Sequence, residues 1–496
     1  MTPTPGSGAG RARANAAYTL DESIVPMHHH SGRARDDFLC AIEPDGPRPI
    51  SVAEANHRAV HGCGIADLTS AAKADDGPAG LSRRMVLRGG AGALGLLAAP
   101  NVQPRMVYSA GPTDKDILIC IFLRGGFDGL SAVVPAGDPH YLNARPSLGV
   151  TAAKGLIPLN SFWGLHPQLS ALTPIWNAGE LALVHATGNT DPTRSHFAGM
   201  WSMERAAGYG ASAAQVSSGW LGRHLASSSS TQGTFRAITL GNKAVASLST
   251  SFPTVAFASI ADFEIWVWEG IQNEVRTMID SAYRTVGGPA GAMAAKTLAA
   301  VGGLADLRST PYTPDNGAVY PDTYFGHGLI DIARMIKSGK GLEVACIDIG
   351  DWDMHADLGQ ATDQASWFSR KARDLAQGLA ALRTDLGSRW ANVCVVTMSE
   401  FGRRVGENAS GGVDHGHGNT MFVLGGQVNG GQVYGSWPGL APEDLDMNEG
   451  GYNGDVTITT DYRTVLAELI SDRLQNGALG TVFPNFSYPG PVGVFR

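Results

Sequence analysis

The chain has little cysteine, little charge and no long apolar run. Five cysteines occur in 496 residues (Cys40, Cys63, Cys120, Cys346 and Cys394), with no Cys-x-x-Cys pair. That argues against a disulfide framework. Cys120, Cys346 and Cys394 sit in the apolar runs ILICIFL, LEVACIDI and NVCVVTM and read as small buried hydrophobes. Charged residues are only 17% and the net charge is −8, so the basic face that nucleic acid or an anionic membrane surface needs is missing. No apolar stretch suits a stable transmembrane anchor. No internal repeat is evident. No GxSxG, HExxH, Walker or Rossmann fingerprint occurs in the right context either, so no short motif names the chemistry.

What is present supports a packed core. Hydrophobic residues make up 43%, and 64 glycines predict many tight turns. The stretch SRRMVLRGGAGALGLLAAP, from Ser82 to Pro100, pairs Arg83 with Arg84 ahead of a short run of small and apolar residues. This fits a twin-arginine export signal. The chain is therefore expected to fold in the cytoplasm, engage the twin-arginine translocation machinery and end in the periplasm, the cell envelope or outside the cell. Residues 1–80 read as a flexible polar extension carrying His28-His29-His30, or as the product of a start assigned too early. Residues 81–110 form the signal segment and 111–496 the folded domain.

In that domain, apolar runs alternate with helical patterns. Strands are expected at 117–123, 181–187, 342–349, 392–398 and 420–424. Phe368, Ala372, Leu375, Leu379, Leu382 and Leu386 form one apolar stripe of a helix, and 460–474 reads as another amphipathic helix. The segment of about 262–307 reads as a helical insertion. The expected fold class is α/β, a mainly parallel sheet with helices on both faces.

In such sheets ligands sit beyond the carboxyl ends of the strands, and the polar residues fall there. Asp128 follows the first strand. Asp351, Asp353 and His355 follow the strand at 342–349 and share a face if that segment is extended. Glu400 and then His415 and His417 follow the next strands. Alone, each such Asp could cap a turn and each such His could be solvated. Together, Asp128, Asp351, Asp353, His355, Glu400 and His415 suit a divalent ion such as zinc, manganese, magnesium, calcium or iron. Ser195, near a helix start, is either a nucleophile or a helix cap. Arg124, Arg194 and Arg403 could clamp an oxyanion.

The strings IFLRGGFDGLSAVVP, DPTRSHF, DIGDWDMHAD, VVTMSEFGRR and DHGHGN occur in this order. On them the chain resembles the bacterial family known as domain of unknown function 1501, from about Asp116 onward. That family is similar in fold to the alkaline phosphatase and sulfatase superfamily. By that resemblance Asp128 matches the Asp after the first strand, Ser195 falls near the nucleophile, Asp353 and His355 fall among the Asp/His metal ligands, and His415 matches a late His ligand. Glu400-Phe401 stands where the superfamily has Asp-His, which implies a one-metal site or a site that binds without turnover. No Cys-x-Pro-x-Arg string is present, so a formylglycine sulfatase is not implied. The expected function is an exported metal-dependent hydrolase of phosphate or sulfate esters, small-molecule or envelope-polymer. The alternative is a non-catalytic envelope binding or scaffold protein.

Overall fold

Strand β1, Ile117–Leu123, has a buried side chain at every position after the first. Seven apolar residues in a row have no polar face to turn to water, so such a strand needs cover on both sides. The computed structural model describes residues 116–496, except 211–212, 229–232, 251–253, 266–270 and 287. The expected N-terminal extension and the expected export signal lie outside the described residues.

After β1 come α1 (Gly129–Ala132), β2 (Leu181–Gly188), α2 (His196–Arg205) and α3 (Trp220–Ser227). Next are β3 (Ala237–Leu240), β4 (Val255–Phe257), α4 (Gln272–Val286), α5 (Gly288–Gly303), α6 (Tyr324–Lys337) and β5 (Val344–Ile349). The chain continues through α7 (Trp367–Leu386), β6 (Val393–Met398), β7 (Asn419–Gly425), β8 (Gln432–Tyr434), β9 (Thr460–Asp461) and α8 (Tyr462–Glu468). Among the described residues these nine strands form one sheet ordered β8-β2-β7-β6-β1-β5-β3-β4, with β9 also on β2, and the short strands Val133–Val134, Gly164–Leu165 and Ile157–Pro158 form a second. β1 runs parallel to β5 and β6 on either side. β7 alone is antiparallel, to β2 and to β6. The expected mainly parallel sheet is thus present, with one reversed member.

Alternate side chains feed two cores. Ile119, Ile121 and Leu123 pack with Leu329 and Ile332 of α6 and Leu375 and Leu379 of α7. Leu118, Cys120 and Phe122 pack with Trp220, Tyr462 and Val465 on the opposite face. The stripe read at 368–386 is the buried face of α7, whose start is capped by the Ser366 hydroxyl accepting from Ser369 N–H. Each fully buried Leu or Phe there contributes about 1.5–3 kcal/mol. Cys120, Cys346 and Cys394 are buried free thiols.

Two elements differ from expectation. Strands β3 and β4 have only four and three residues, too short to leave a periodic signal. The helix expected over 460–474 begins only at Tyr462, and at Leu469 it widens into a π-type turn ending at Arg473. The segment around 262–307 is helical as expected, through α4, α5 and a short helix at Ala305–Ser309. The C-terminal ends of β1, β5 and β6 lie side by side, and β2 ends two strands away. The loops leaving these four strands carry the polar residues.

Candidate metal centre

The loop after β5 sets the first two side chains. Asp351 takes a positive φ of 67°, which turns its carboxylate aside to Lys371 Nζ at 3.5 Å. Trp352 and Met354 then point inward and are buried, Trp352 packing edge-on against Phe127 at 4.8 Å. Asp353 and His355 point the other way, to the strand ends. The alternation read from the sequence therefore applies from Trp352 to His355 and fails at Asp351, where a left-handed residue breaks the extended path.

Asp353 is the hub. Its Oδ1 lies 3.1 Å from His355 Nε2 and 3.2 Å from His415 Nε2, and its Oδ2 lies 3.3 Å from His196 Nε2. His355 Nε2 and His415 Nε2 are 2.9 Å apart. One ligand atom from each of His196, Asp353 and His415 lies within 4.8 Å of the others, the arrangement a metal ion needs.

Each imidazole is held from behind at Nδ1. His196 Nδ1 donates to Glu400 Oε1 at 2.7 Å, and His355 Nδ1 donates to Asp414 Oδ1 at 2.7 Å. His415 Nδ1 donates to the Arg194 carbonyl at 2.8 Å. A carbonyl or an ionised carboxylate only accepts, so each ring carries a proton on Nδ1, and Nε2, which faces Asp353, is the nitrogen that can give up a proton in favour of an ion. This outer ring of acceptors is what fixes imidazoles as metal ligands. His196 Nε2 is buried and too poorly aligned with Asp353 for a hydrogen bond, so it lacks a partner. Asp353 and His355 stay open to water, at 41% and 44% side-chain exposure, which leaves room for a substrate. The donor set and the orphaned nitrogen fit a divalent ion.

The charges agree. Burial alone would raise the Asp353 pKa, but the imidazoles of His196, His355 and His415, with Arg403 nearby, hold it far below the carboxylate range. Burial would lower His196, yet Asp353 and Glu400 raise it to about 9. The hydrogen bond to Asp353 raises His355, against burial. Burial lowers His415, with Arg403 and His196 adding to the effect. Since His196 rises from 6.5 to about 9 on folding, its contacts stabilise the metal-free chain fully below pH 6.5. That contribution is lost as pH climbs to about 9. Urea midpoints of chelator-treated protein should fall across this window, and the fall should vanish once metal occupies the centre.

The remaining sequence candidates stand elsewhere. Asp128 is fully buried against Arg145, its two oxygens 2.5 and 2.9 Å from the guanidinium. Glu400 sits behind His196, also accepting from Gly125 N–H at 2.8 Å. Arg403 is fully buried; it bonds the carbonyls of Gly125, Gly126, Trp352 and Val413 as well as Asp353. Arg124 pairs with Asp348 and Glu204, and Arg194 with Asp455. Each of these three guanidinium groups is thus paired with a carboxylate, though Arg194 Nε has no partner. Ser195 is exposed at the N-cap of α2, and its hydroxyl makes no cap hydrogen bond. His417 turns inward to the Asn189 carbonyl at 2.7 Å.

The sequence reading missed His196, though it lies inside DPTRSHF. It directly follows Ser195, and the loop after β2 meets the same strand-end criterion as the others.

Gly125 brings two of these loops together. It has φ 115°, and a Cβ there would lie 2.6 Å from Asp353 N. Gly125→Ala is expected to cost about 1–3 kcal/mol and to push Asp353 off the hub position. Denaturant unfolding and metal titration of that variant check both parts.

No curated protein matches the chain. Among solved structures it is similar to a protein in the alkaline phosphatase superfamily from Vibrio parahaemolyticus, at 9% identity over 70% of this chain and 69% of that one, with TM-score 0.30. It is similar to the lipoteichoic acid synthase LtaP from Listeria monocytogenes at 11% identity, over 70% and 71% of the two chains, with TM-score 0.27. It is also similar to the PsFucS1 sulfatase from Pseudoalteromonas sp. at 12% identity, over 77% and 73%, with TM-score 0.30. The family model described as Protein of unknown function (DUF1501) matches residues 115–466, most of the chain, and the chain belongs to that family.

Proposed function

We propose that this protein is an exported, metal-dependent hydrolase of phosphate or sulfate esters. The observation that carries the reading is the convergence of three Nδ1-anchored imidazoles on the Asp353 carboxylate at a point open to water. His196, Asp353 and His415 would hold a divalent ion, with His355 beside them. When bound, such an ion supplies Lewis-acid polarisation of an ester oxygen.

The chain's own groups do the rest. Ser195 offers an uncommitted hydroxyl one residue from His196. The first N–H groups of α2 are oriented to favour negative charge near that hydroxyl. Glu400, Asp414 and the Arg194 carbonyl keep each imidazole in the tautomer that presents Nε2. Export rests on Arg83-Arg84; among the described residues no helix is long and apolar enough to cross a membrane.

One observation favours a second reading. Arg124, Arg194 and Arg403 are each already paired with a carboxylate of the chain, which weakens their call on developing charge. A protein that binds an anionic ester through its metal without cleaving it fits that feature.

The test is elemental analysis of protein purified without chelator, followed by turnover of 4-nitrophenyl phosphate, bis(4-nitrophenyl) phosphate and 4-nitrophenyl sulfate. Near-stoichiometric metal, with turnover that Ser195→Ala lowers at least about a thousandfold, is expected. Metal without turnover selects the binding reading. Absence of metal, with none taken up on soaking, removes both.

A further inference from the structure

Beside the metal centre lies a cleft of about 500 Å³, within the usual range for a small-molecule site. Asp414 lines it and also holds His355, so the cleft opens beside the centre. Its other side chains include Asn143, Arg404, Glu407, Asn408, Tyr452 and Asn453. The only aliphatic ones are those of Ala144, Pro146 and Ala409.

Three loops form the walls and are laced together. Gly406 N–H donates to the Tyr452 carbonyl at 2.9 Å, and Glu407 N–H to the Ala144 carbonyl at 3.1 Å. The Glu407 carboxylate accepts from Ser147 N–H at 3.0 Å and Leu148 N–H at 2.7 Å. The Tyr452 hydroxyl meets His140 Nδ1 at 2.9 Å, which fixes its ring. The cleft is therefore formed before any ligand arrives.

Its chemistry selects among alcohols. A lipid or aryl group would strip water from amides and carboxylates and give no hydrogen bonds back. A polyanion would meet Asp414 and Glu407. The one cation in the lining, Arg404, is already committed to Glu449 and Asn453. The Asn408 and Asn453 amides and the Glu407 carboxylate are likewise engaged within the wall, which leaves Asn143 and Asp414 Oδ2 to meet the hydroxyls of a neutral polyhydroxylated group, and the fixed Tyr452 ring supplies an apolar surface for its C–H faces.

From these features, and resting on the hydrolase reading above, we infer that the alcohol portion of the substrate is a neutral saccharide seated in this cleft. The saccharide hydroxyls bond Asn143 and Asp414 Oδ2 while its ester group reaches Asp353.

Calorimetry with unesterified maltotriose, cellotriose, chitotriose and mannotriose tests the cleft apart from the chemistry. At least one is expected to bind with a Kd of about 1 mM or tighter. Asn143→Ala, an exposed change that leaves the core alone, should weaken it about five- to tenfold. Tyr452→Ala should weaken it further and Tyr452→Phe much less. Asp353→Asn should leave glycan binding intact. Binding by none of the four, or binding that neither alanine variant alters, overturns the inference. Glycan binding that follows this pattern in a protein that cleaves no ester supports the saccharide site and overturns only the hydrolase reading.

Discussion

Asp353→Asn is expected to reduce metal affinity by more than about 100-fold and to take ester turnover below detection. The figure follows from its position. Outer partners of metal-bound imidazoles are worth about 10–100-fold in affinity, and Asp353 is the point on which three imidazoles converge. An amide keeps the shape but brings no charge, and its N–H₂ group competes with the ion for the Nε2 lone pairs. The fold should survive, because Arg403 keeps four backbone carbonyl partners besides Asp353. A loss of about 1–2 kcal/mol in the metal-free protein is expected, discounted because Asp353 is 41% exposed. Metal analysis, isothermal titration with zinc and denaturant unfolding measure the three quantities. Full metal occupancy in this variant would remove Asp353 from the centre.

The largest change in stability is expected at Asp128. The Asp128–Arg145 pair has side-chain exposures of 4% and 0% and a contact of 2.5 Å. Burial pushes the Asp128 carboxyl upward, but the Arg145 guanidinium, with Ser131, outweighs it and holds the group below its usual value. Arg145 also bonds the carbonyls of Val405 and Arg404, so the pair ties the first loop to the segment after Arg403. Asp128→Ala leaves a fully buried cation and should cost about 3–5 kcal/mol. Adding Arg145→Met should return much of that loss, since apolar groups of similar volume replace buried pairs at little cost. Metal per folded molecule should stay at the wild-type level. Lost metal with unchanged denaturant midpoints would instead make Asp128 the ligand that the family resemblance implies.

The sequence disclosed the sheet better than the site. Continuous apolar runs such as ILICIFL and NVCVVTM cannot fold with a wet face, so their places as central strands were readable. Strand β4 was not, because three residues leave no periodic signal, and the reversal of β7 was not, because an apolar run carries no direction. At the site, Asp353, His355 and His415 were legible from strand-end position alone. The separation of Asp128 from them was not, because Arg145, seventeen residues on, carries no motif that announces it. Glu400 was placed correctly in the chain, but its position behind His196 depends on a contact spanning 204 residues. Asp351 was misjudged for a local reason: one left-handed residue shifts the side-chain alternation, and a non-glycine residue gives little warning of it.

The order of synthesis gives the central strand a long wait. β1 is the first strand of the sheet to leave the ribosome, yet both of its neighbours come late. Arg124 meets Asp348 only after 224 further residues, and Gly125 meets Glu400 only after 275. Until then β1 presents two bare edges and two apolar faces, a form prone to aggregate. Loop closures of this length also slow folding. The nascent chain therefore has reason to depend on a holding chaperone. A chain truncated before residue 415 lacks His415, so the cluster of His196, Asp353 and His415 is complete only after that point. An export route that carries finished domains suits such a molecule better than one that threads it unfolded.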